Sequence, residues 1–540
     1  MLDKRIIESI EFDNQFVKNL PGDPEKNNFR RQVEGACYSR VHPVKTAGPK
    51  RIIHSKEMAQ DLGFSEEFCE SDTFVRVFSG NALMPGMDPF AMCYGGHQFG
   101  NWAGQLGDGR AINLGEIITP ASGRQMLQLK GSGPTPYSRN ADGLAVLRSS
   151  IREFLCSEAM FHLGIPTTRA LSLVLTGEQV ERDMFYDGHP KLEPGAIVCR
   201  VAPSFIRFGN FEIFSSRGDL KVLKQLADYT IKTDFPHLGE PCPRVYVKWF
   251  EEICKKTCEM IIHWMRTGFV HGVMNTDNMS VLGLTIDYGP YGWLENFDPG
   301  WTPNTTDASM RRYTFGNQPQ IALWNLAQLG NAIYPLIQDA SPLQDTINEY
   351  HRLYQIGFND MMAAKLGLSA FNPLTDDSLI QDLMTLLAMI ETDMTIFYRS
   401  LAHLDIDHLP EDFSKSDTDI QTFARPLMDA YYRPQQIDTP YREHLKSWLE
   451  QYARRIHSDP LSVESRRKKM NHTNPKYVLR NYLTQLAIEK AEQGDFSMIH
   501  ELLEVMRHPY DEQPGKETFA RKRPDWARVK PGCSMLSCSS

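Results

Sequence analysis

The chain has 540 residues, 41% of them hydrophobic, 10% aromatic and 23% charged, with a formal net charge of −9. This is the profile of an ordinary globular protein with ample core material, organised as two or three units. The negative balance argues against a mainly electrostatic nucleic-acid binder, and no run of 18 apolar residues offers a membrane-spanning helix.

The N-terminal "MLDKRIIESIEFDNQF" lacks the apolar stretch of a secretory signal and is too acidic for a good mitochondrial transit peptide. A cytoplasmic monomer is the expectation, with the mitochondrion as the alternative compartment. Residues 1–75 read as an irregular N-terminal extension with helical pieces. From 76 to 225 strands and Gly/Pro turns dominate. "GQLGDGR" (104–110) is a glycine-rich turn entering a strand, where backbone amides can approach phosphate oxygens and Arg110 can bind phosphate. By itself such a turn is a weak signal, because glycine-rich turns between strands are common.

"AINLGEI" (111–117) and "QMLQLKGSG" (125–133) alternate with period two around a hairpin and place Lys130 on the second strand. "DGLAVLRSSIREFLCSEAMFHLGIP" follows with helical spacing. Asp142 is the expected N-cap, "GIP" the stop, and Glu153 lies beside the apolar stripe. Two more strands are expected at 170–177 and 195–203. Arg200 and Arg207, in "CRVAPSFIRFGNFE", are read on adjoining strand segments; they suit a polyphosphate, or are edge-strand arginines paired with surface acids.

Beyond 225 the pattern turns helical. Long helices are expected at 245–269 and 321–337, and further helices over 340–510. Between the first two stands "HGVMNTDNMSVLGLTIDYGP" (271–290). Asn278 and Asp287 flank a short hairpin turned at Gly283, and are hard-oxygen donors suited to Mg²⁺ beside nucleotide phosphates. A glycine-rich turn, a strand Lys, a helix Glu, then an Asn and an Asp-Tyr-Gly is the order found in protein kinases. The Asp expected two residues after His271 is replaced by Val273, so Asp277 becomes the candidate base. The basic runs at 466–469 and 520–528 read as solvated faces.

The ten cysteines lie mostly in apolar contexts, as reduced core thiols; Cys254 and Cys258 are expected to pack on the first long helix. Cys533 and Cys538, in the tail "GCSMLSCSS", read as an exposed pair that could close a disulfide.

Together these segments resemble the selenoprotein O (SelO/YdiU) family. "MPGMDPFAMCYGGHQFGNWAGQLGDGRAINLGE", "LKGSGPTPYSRNADGLAVLRSSIRE", "GIPTTRALSLV", "RVAPSFIRFGNFE", "FVHGVMNTDNMSVLGLTIDYGPYGWLENFDPG" and "LRNYLTQLAIEKAE" carry the resemblance, over roughly residues 75–540. It implies an α+β, protein-kinase-like two-lobed fold with N- and C-terminal helical extensions. The expected units are 1–75, a β-rich lobe at 76–225, a helical lobe at 226–340 and a helical extension at 341–540.

The resemblance also implies ATP bound inverted, with AMP passed to Ser, Thr or Tyr hydroxyls of protein substrates and pyrophosphate released. Carried over by motif, Gly107, Gly109, Arg110, Lys130, Asp142, Gly143, Glu153, Arg200, Arg207 and Asp287 form the nucleotide site. Asp277 is the proton acceptor, and Asn278 and Asp287 hold Mg²⁺, with UTP and Mn²⁺ as a variant pair. In some members a cysteine in the loop after the Asp-Tyr-Gly segment pairs with one near the C-terminus. Here Pro303 takes its place, which leaves a local Cys533–Cys538 pair. The competing readings are a conventional protein kinase using Asp277 as base, and an inactive scaffold.

Overall fold

The structure is a computed structural model that describes residues 10–107, 110–405, 408–415 and 420–537. It is α+β, with one large antiparallel sheet in the first part of the chain and helices dominating the rest. The sheet strands are β1 (Tyr38–Arg40), β2 (Lys50–His54), β3 (Phe90–Met92), β6 (Ala111–Thr119), β7 (Gly123–Lys130), β8 (Arg169–Arg182) and β9 (Lys191–Ala202); β4 (Tyr94–Gln98) and β5 (Asn101–Leu106) form a separate hairpin. The order across the sheet is β1-β3-β6-β7-β9-β8-β2. Both edges therefore come from the segment read as an irregular extension, since β1 and β2 lie within residues 1–75.

Period-two alternation sorts the strands into two faces. Leu114, Leu127, Leu129, Ile197, Cys199 and Val201 face one way and are covered by Met58, Phe64, Phe68, Phe74 and Phe78 from the helical segment 56–78. Met126, Val198 and Ala202 face the other way and pack with the helix Leu147–His162, which contributes Ile151, Phe154 and Leu155. Gln128, Lys130 and Arg200 share that second face, in the register Gln128↔Arg200 and Lys130↔Val198.

The expected hairpin 111–133 is present as β6 and β7. The helix after it begins later than its capping signal suggests. Asp142 caps nothing, and the helix starts at Leu147 behind Val146. Residues 144 and 146 make sheet-like bridges to Ser132 and Gly195, and these tertiary hydrogen bonds outcompete a longer helix. Arg207 is not on a strand. It stands at the start of the helix Phe208–Ser216.

The helices Pro243–Thr267 and Gln318–Ile337 bracket the segment 268–317. Between Asn278 and Asp287 the chain makes a tight turn with one bridge, Met279↔Thr285, and not a regular hairpin; Gly283 turns it with φ 65°. A second charged core ties the C-terminal helices down. Arg480, 1% exposed, donates to Glu295 at 2.6 Å and Asp393 at 2.9 Å.

The basic runs are solvated only in part: Arg467, Lys468 and Arg521 are exposed, while other members act as internal braces. Buried Arg466 donates to the Gly367 carbonyl at 2.7 Å, and Arg528 pairs with Glu391. Cys533 also differs from expectation. It is 3% exposed, its carbonyl accepts from Asn481 Nδ2 at 2.8 Å, and burial pushes its thiol up to about 11. A thiol so buried is a poor nucleophile. Its suggested partner Cys538 lies outside the described residues. The tail instead holds the Pro303 loop by backbone hydrogen bonds, Leu536 N–H to Pro303 at 2.9 Å and Thr305 N–H to Leu536 at 2.7 Å.

Candidate functional site

The sheet face bearing Gln128, Lys130 and Arg200 meets the 271–290 segment at a cavity of about 550 Å³. Arg110, Lys130, Arg139, Arg207, Asn275, Asp277, Asn278 and Asp287 line it, with Tyr94, Phe99 and Tyr186. Four cationic side chains thus face two carboxylates, an excess that suits a polyanion.

The charges form one chain. Lys130 Nζ pairs with Glu153 on the buried helix. The other oxygen of Glu153 accepts from Arg200 at 2.9 Å. Arg200 continues to Asp287 at 2.5 Å and to the amide oxygen of Gln128, which in turn donates to Asn113 at 2.8 Å. Arg207 closes the chain on the second oxygen of Asp287 and donates to the backbone carbonyl of Asp277 at 2.9 Å. Each carboxylate is held by two cations, Glu153 by Lys130 and Arg200 and Asp287 by Arg200 and Arg207, which makes such a buried network rigid.

Burial opposes ionisation of Asp287, but Arg207, Arg200 and Lys130 outweigh it and hold the carboxyl well below the usual carboxylate range. Asp277 has the opposite environment. Burial, with the Asp287 and Glu212 carboxylates adding to it and Arg207 opposing, pushes its carboxyl up to about 7. Its Oδ1 is buried without a hydrogen-bond partner among the described residues. Two neighbouring carboxylates are thus driven apart, one permanently ionised and one poised to take a proton near neutrality.

The Asn278 amide donates from Nδ2 to the Val273 carbonyl at 2.9 Å. That contact leaves its carbonyl oxygen without a partner among the described residues. Asn278 and Asp287 therefore offer two hard oxygens on one cavity wall, a donor set that fits Mg²⁺ completed by phosphate and water. No group of three or more His, Cys, Asp or Glu suited to a metal occurs among the described residues.

Backbone strain concentrates at the cavity. Of the seven described non-glycine residues with positive φ, four line it: Phe99, Arg110 (φ 61°), Tyr186 and Asp287 (φ 57°). Conformations of that kind persist where the surroundings over-determine them, characteristically at functional sites.

The remaining sequence candidates sit around the cavity. Arg200 does not line it; it is 1% exposed and acts from behind Asp287. Gly107 borders a narrow cleft beside it, and a Cβ there would stand 2.3 Å from the Tyr137 side chain. Gly143, at φ 75°, packs so tightly on Gly133 that a Cβ would come within 2.1 Å of its carbonyl. Asp142 is engaged by Arg182 at 2.7 and 2.8 Å and, with Arg182, contributes to the field at Arg110. Burial, with Arg182 second, lowers the Arg110 guanidinium from its ordinary value. Gly109 lies outside the described residues. Sequence reasoning missed Arg139, Asn113 and Gln128; the last two become visible only through the register Asn113↔Gln128↔Arg200 across β6, β7 and β9.

Comparison with known proteins gives concordant results. The family described as protein adenylyltransferase SelO matches residues 26–507. The chain is 58% identical over 539 residues to a protein nucleotidyltransferase YdiU of Rhodopirellula baltica, covering 98% of this chain and 99% of that one. It is 59% identical to a protein of the same name from Aromatoleum aromaticum, covering 99% and 100%, and 57% identical to one from Xanthomonas axonopodis pv. citri, covering 98% and 99%.

Proposed function

The chain belongs to the protein adenylyltransferase SelO family, a nucleotidyltransferase by that membership, and on this premise we propose that it transfers AMP from ATP to Ser, Thr or Tyr hydroxyls of proteins. The observation that carries the reading is the pairing of a cation-rich cavity with one buried, unpartnered carboxylate, Asp277. In this reading the sheet part and the helical part are the two lobes of a kinase-like fold, with the nucleotide between them and the segment after residue 340 as an added extension. The protein works in the cytoplasm.

The acceptor hydroxyl oxygen attacks the α-phosphorus and forms the new P–O bond. The bond between the α-phosphorus and the bridging oxygen breaks, and its electron pair leaves with pyrophosphate. The hydroxyl proton passes to the Asp277 carboxylate, whose affinity near neutrality suits that transfer. Arg110, Lys130, Arg139 and Arg207 orient the triphosphate, bound with its α-phosphate toward Asp277, and offset the charge that grows on the leaving group. Glu153 and Arg200 hold Lys130 and Asp287 in place. Asn278 and Asp287 would hold Mg²⁺, which supplies charge neutralisation at the phosphates when bound; UTP with Mn²⁺ is the variant pair.

Intact-mass analysis after incubation with a protein acceptor, ATP and Mg²⁺ tests the proposal. The expected product carries added AMP, formed by the wild type and not by Asp277→Asn. Added phosphate would mean conventional kinase chemistry. No adduct on either the acceptor or the enzyme itself would favour an inactive scaffold.

A further inference from the structure

A second cavity of about 730 Å³ lies in the helical part and shares no lining residue with the first. Its walls come from the helices Pro243–Thr267, Ser341–Lys365, Pro373–Met389 and Met394–Leu401 and from the segments around Phe297 and Phe315. Six methionines line it: Met265, Met361, Met362, Met384, Met389 and Met394. Unbranched thioether side chains adapt to flexible chains of varied shape better than branched ones.

One charged side chain enters this apolar space, that of Lys365. It is 2% exposed, donates to the Arg266 carbonyl at 2.7 Å and lies 4.0 Å from the centre of the Tyr398 ring. Among the described residues it has no other hydrogen-bond acceptor and no carboxylate partner. The nearest charge makes matters worse. Arg266 is itself a cation, and its donors go to the Leu163 and Thr473 carbonyls, the Tyr510 hydroxyl and His263. Burial and Arg266 together hold the Lys365 amine well below the ordinary lysine range. A methionine would fill the same position without the cost of burying an amine that has one hydrogen-bond acceptor. A buried amine without a carboxylate partner, inside a ready-made apolar cavity, is complementary to an acid supplied from outside, whose anion would favour the protonated amine.

We infer that this cavity is a binding site for a medium-chain aliphatic carboxylate, its carboxylate on Lys365 and its chain among the methionines. The size falls within the range of small-molecule sites, which are mostly apolar with a few placed polar groups. Besides Lys365, the lining carries the polar side chains of Tyr354, Gln381, Thr385 and Tyr398. The site is separate from the nucleotide reading and stands or falls without it.

Calorimetric titration of the full-length protein with octanoate, decanoate and dodecanoate tests it, with dodecanol as the uncharged probe. The expected result is one saturable site whose Kd falls by about fourfold per added methylene, with dodecanol at least about tenfold weaker than dodecanoate. Lys365→Met should bring dodecanoate down to the level of dodecanol while leaving dodecanol unchanged. Ala388→Trp, placed on an exposed position of the cavity lining, should block both ligands without touching the core. If Lys365→Met fails to fold, the comparison of acid with alcohol and the Ala388→Trp variant still decide. Equal affinity for acid and alcohol, full binding by either variant, or no saturable heat with dodecanoate up to about 1 mM would overturn the inference.

Discussion

Replacing Asp277 by Asn should abolish transfer and yet make the protein more resistant to heat at pH 8, by more than any change at pH 5. The Asp277 carboxyl is pushed from 3.8 up to about 7, by burial first. A carboxyl raised in the folded state holds its proton more tightly there than in the unfolded chain. Its contribution to stability is complete below about 3.8 and is lost as the pH climbs through about 7. Above that point the folded protein carries a buried charge that the unfolded chain carries in water. At about 1.36 kcal/mol per pKa unit, the cost relative to a side chain that never ionises is about 4 kcal/mol at pH 8 and about 1.6 kcal/mol at pH 5.

The asparagine variant escapes this cost but places an amide where Oδ1 has no partner, a loss of about 1–3 kcal/mol. That loss is independent of pH and cancels when two pH values are compared. The remaining difference is about 2.5 kcal/mol. With about 2.1 cal/mol/K per residue, the unfolding entropy of the 540-residue chain is about 1.1 kcal/mol/K. The Tm of the variant relative to wild type should therefore be about 2–3 °C higher at pH 8 than at pH 5. Differential scanning calorimetry at the two pH values measures it. A relative Tm that is the same at both, or higher at pH 5, would refute the claim that Asp277 titrates near neutrality and remove the physical basis for its role as base.

Single-turnover rates should rise with pH through about 7 and then level off, because only the ionised Asp277 accepts a proton; a flat profile across that window contradicts the assignment. Asp287→Asn should lower Tm by about 3–4 °C, since removing one partner from a buried pair costs about 3–5 kcal/mol and here leaves Arg207 without its carboxylate and Arg200 with Glu153 alone; an unchanged melting profile would mean that the network does not operate in solution. Glu153→Gln should weaken ATP by about tenfold or more through loss of the charged bonds that position Lys130 and Arg200, read by calorimetric titration. Arg480→Met should cost a similar few degrees by leaving Glu295 and Asp393 without their cation, and ATP affinity should stay at the wild-type value; a parallel loss of affinity would show that the two cores are coupled.

The sequence was most informative where chemistry sits in short strings, and least where it depends on register. Lys130, Glu153, Asn278 and Asp287 lie in local motifs whose order alone suggested a shared site, and the fold brings them to one cavity wall or directly behind it. The α+β class followed from period-two segments giving way to helical ones. Asn113 and Gln128 were invisible, because their place beside Arg200 depends on how β6, β7 and β9 align and on the irregularity between Asn113 and Gly115. Asp142 failed as a helix cap because the sheet captured residues 144 and 146 first. Cys533 was misjudged because tail composition says nothing about the tertiary contacts that bury it. Local propensity loses in each case to a partner distant in sequence.

Val273 shows how the local chemistry was rearranged. The residue that would have been the base is buried, its N–H reaches His271 Nδ1 at 3.4 Å and its carbonyl accepts from Asn278 at 2.9 Å. His271 in turn donates from Nε2 to the Ile286 carbonyl at 2.9 Å, next to Asp287. Position 273 thus serves as a backbone anchor between the two metal-type oxygens, where a carboxylate would add a third negative charge beside Asp277 and Asp287. Four residues on, Asp277 is held by Arg207 through its backbone carbonyl, which leaves its side chain free of that arginine's hydrogen bond. A Cβ on Gly96 would stand 2.7 Å from Asp277 Oδ1, so the glycine lets the strand lie directly on the carboxyl and keep water from it. Dryness raises the proton affinity, and an arginine bonded to the backbone and not to the carboxyl does not cancel that gain. On the proposed reading of Asp277 as the base, a valine at 273 keeps a third carboxylate away from it.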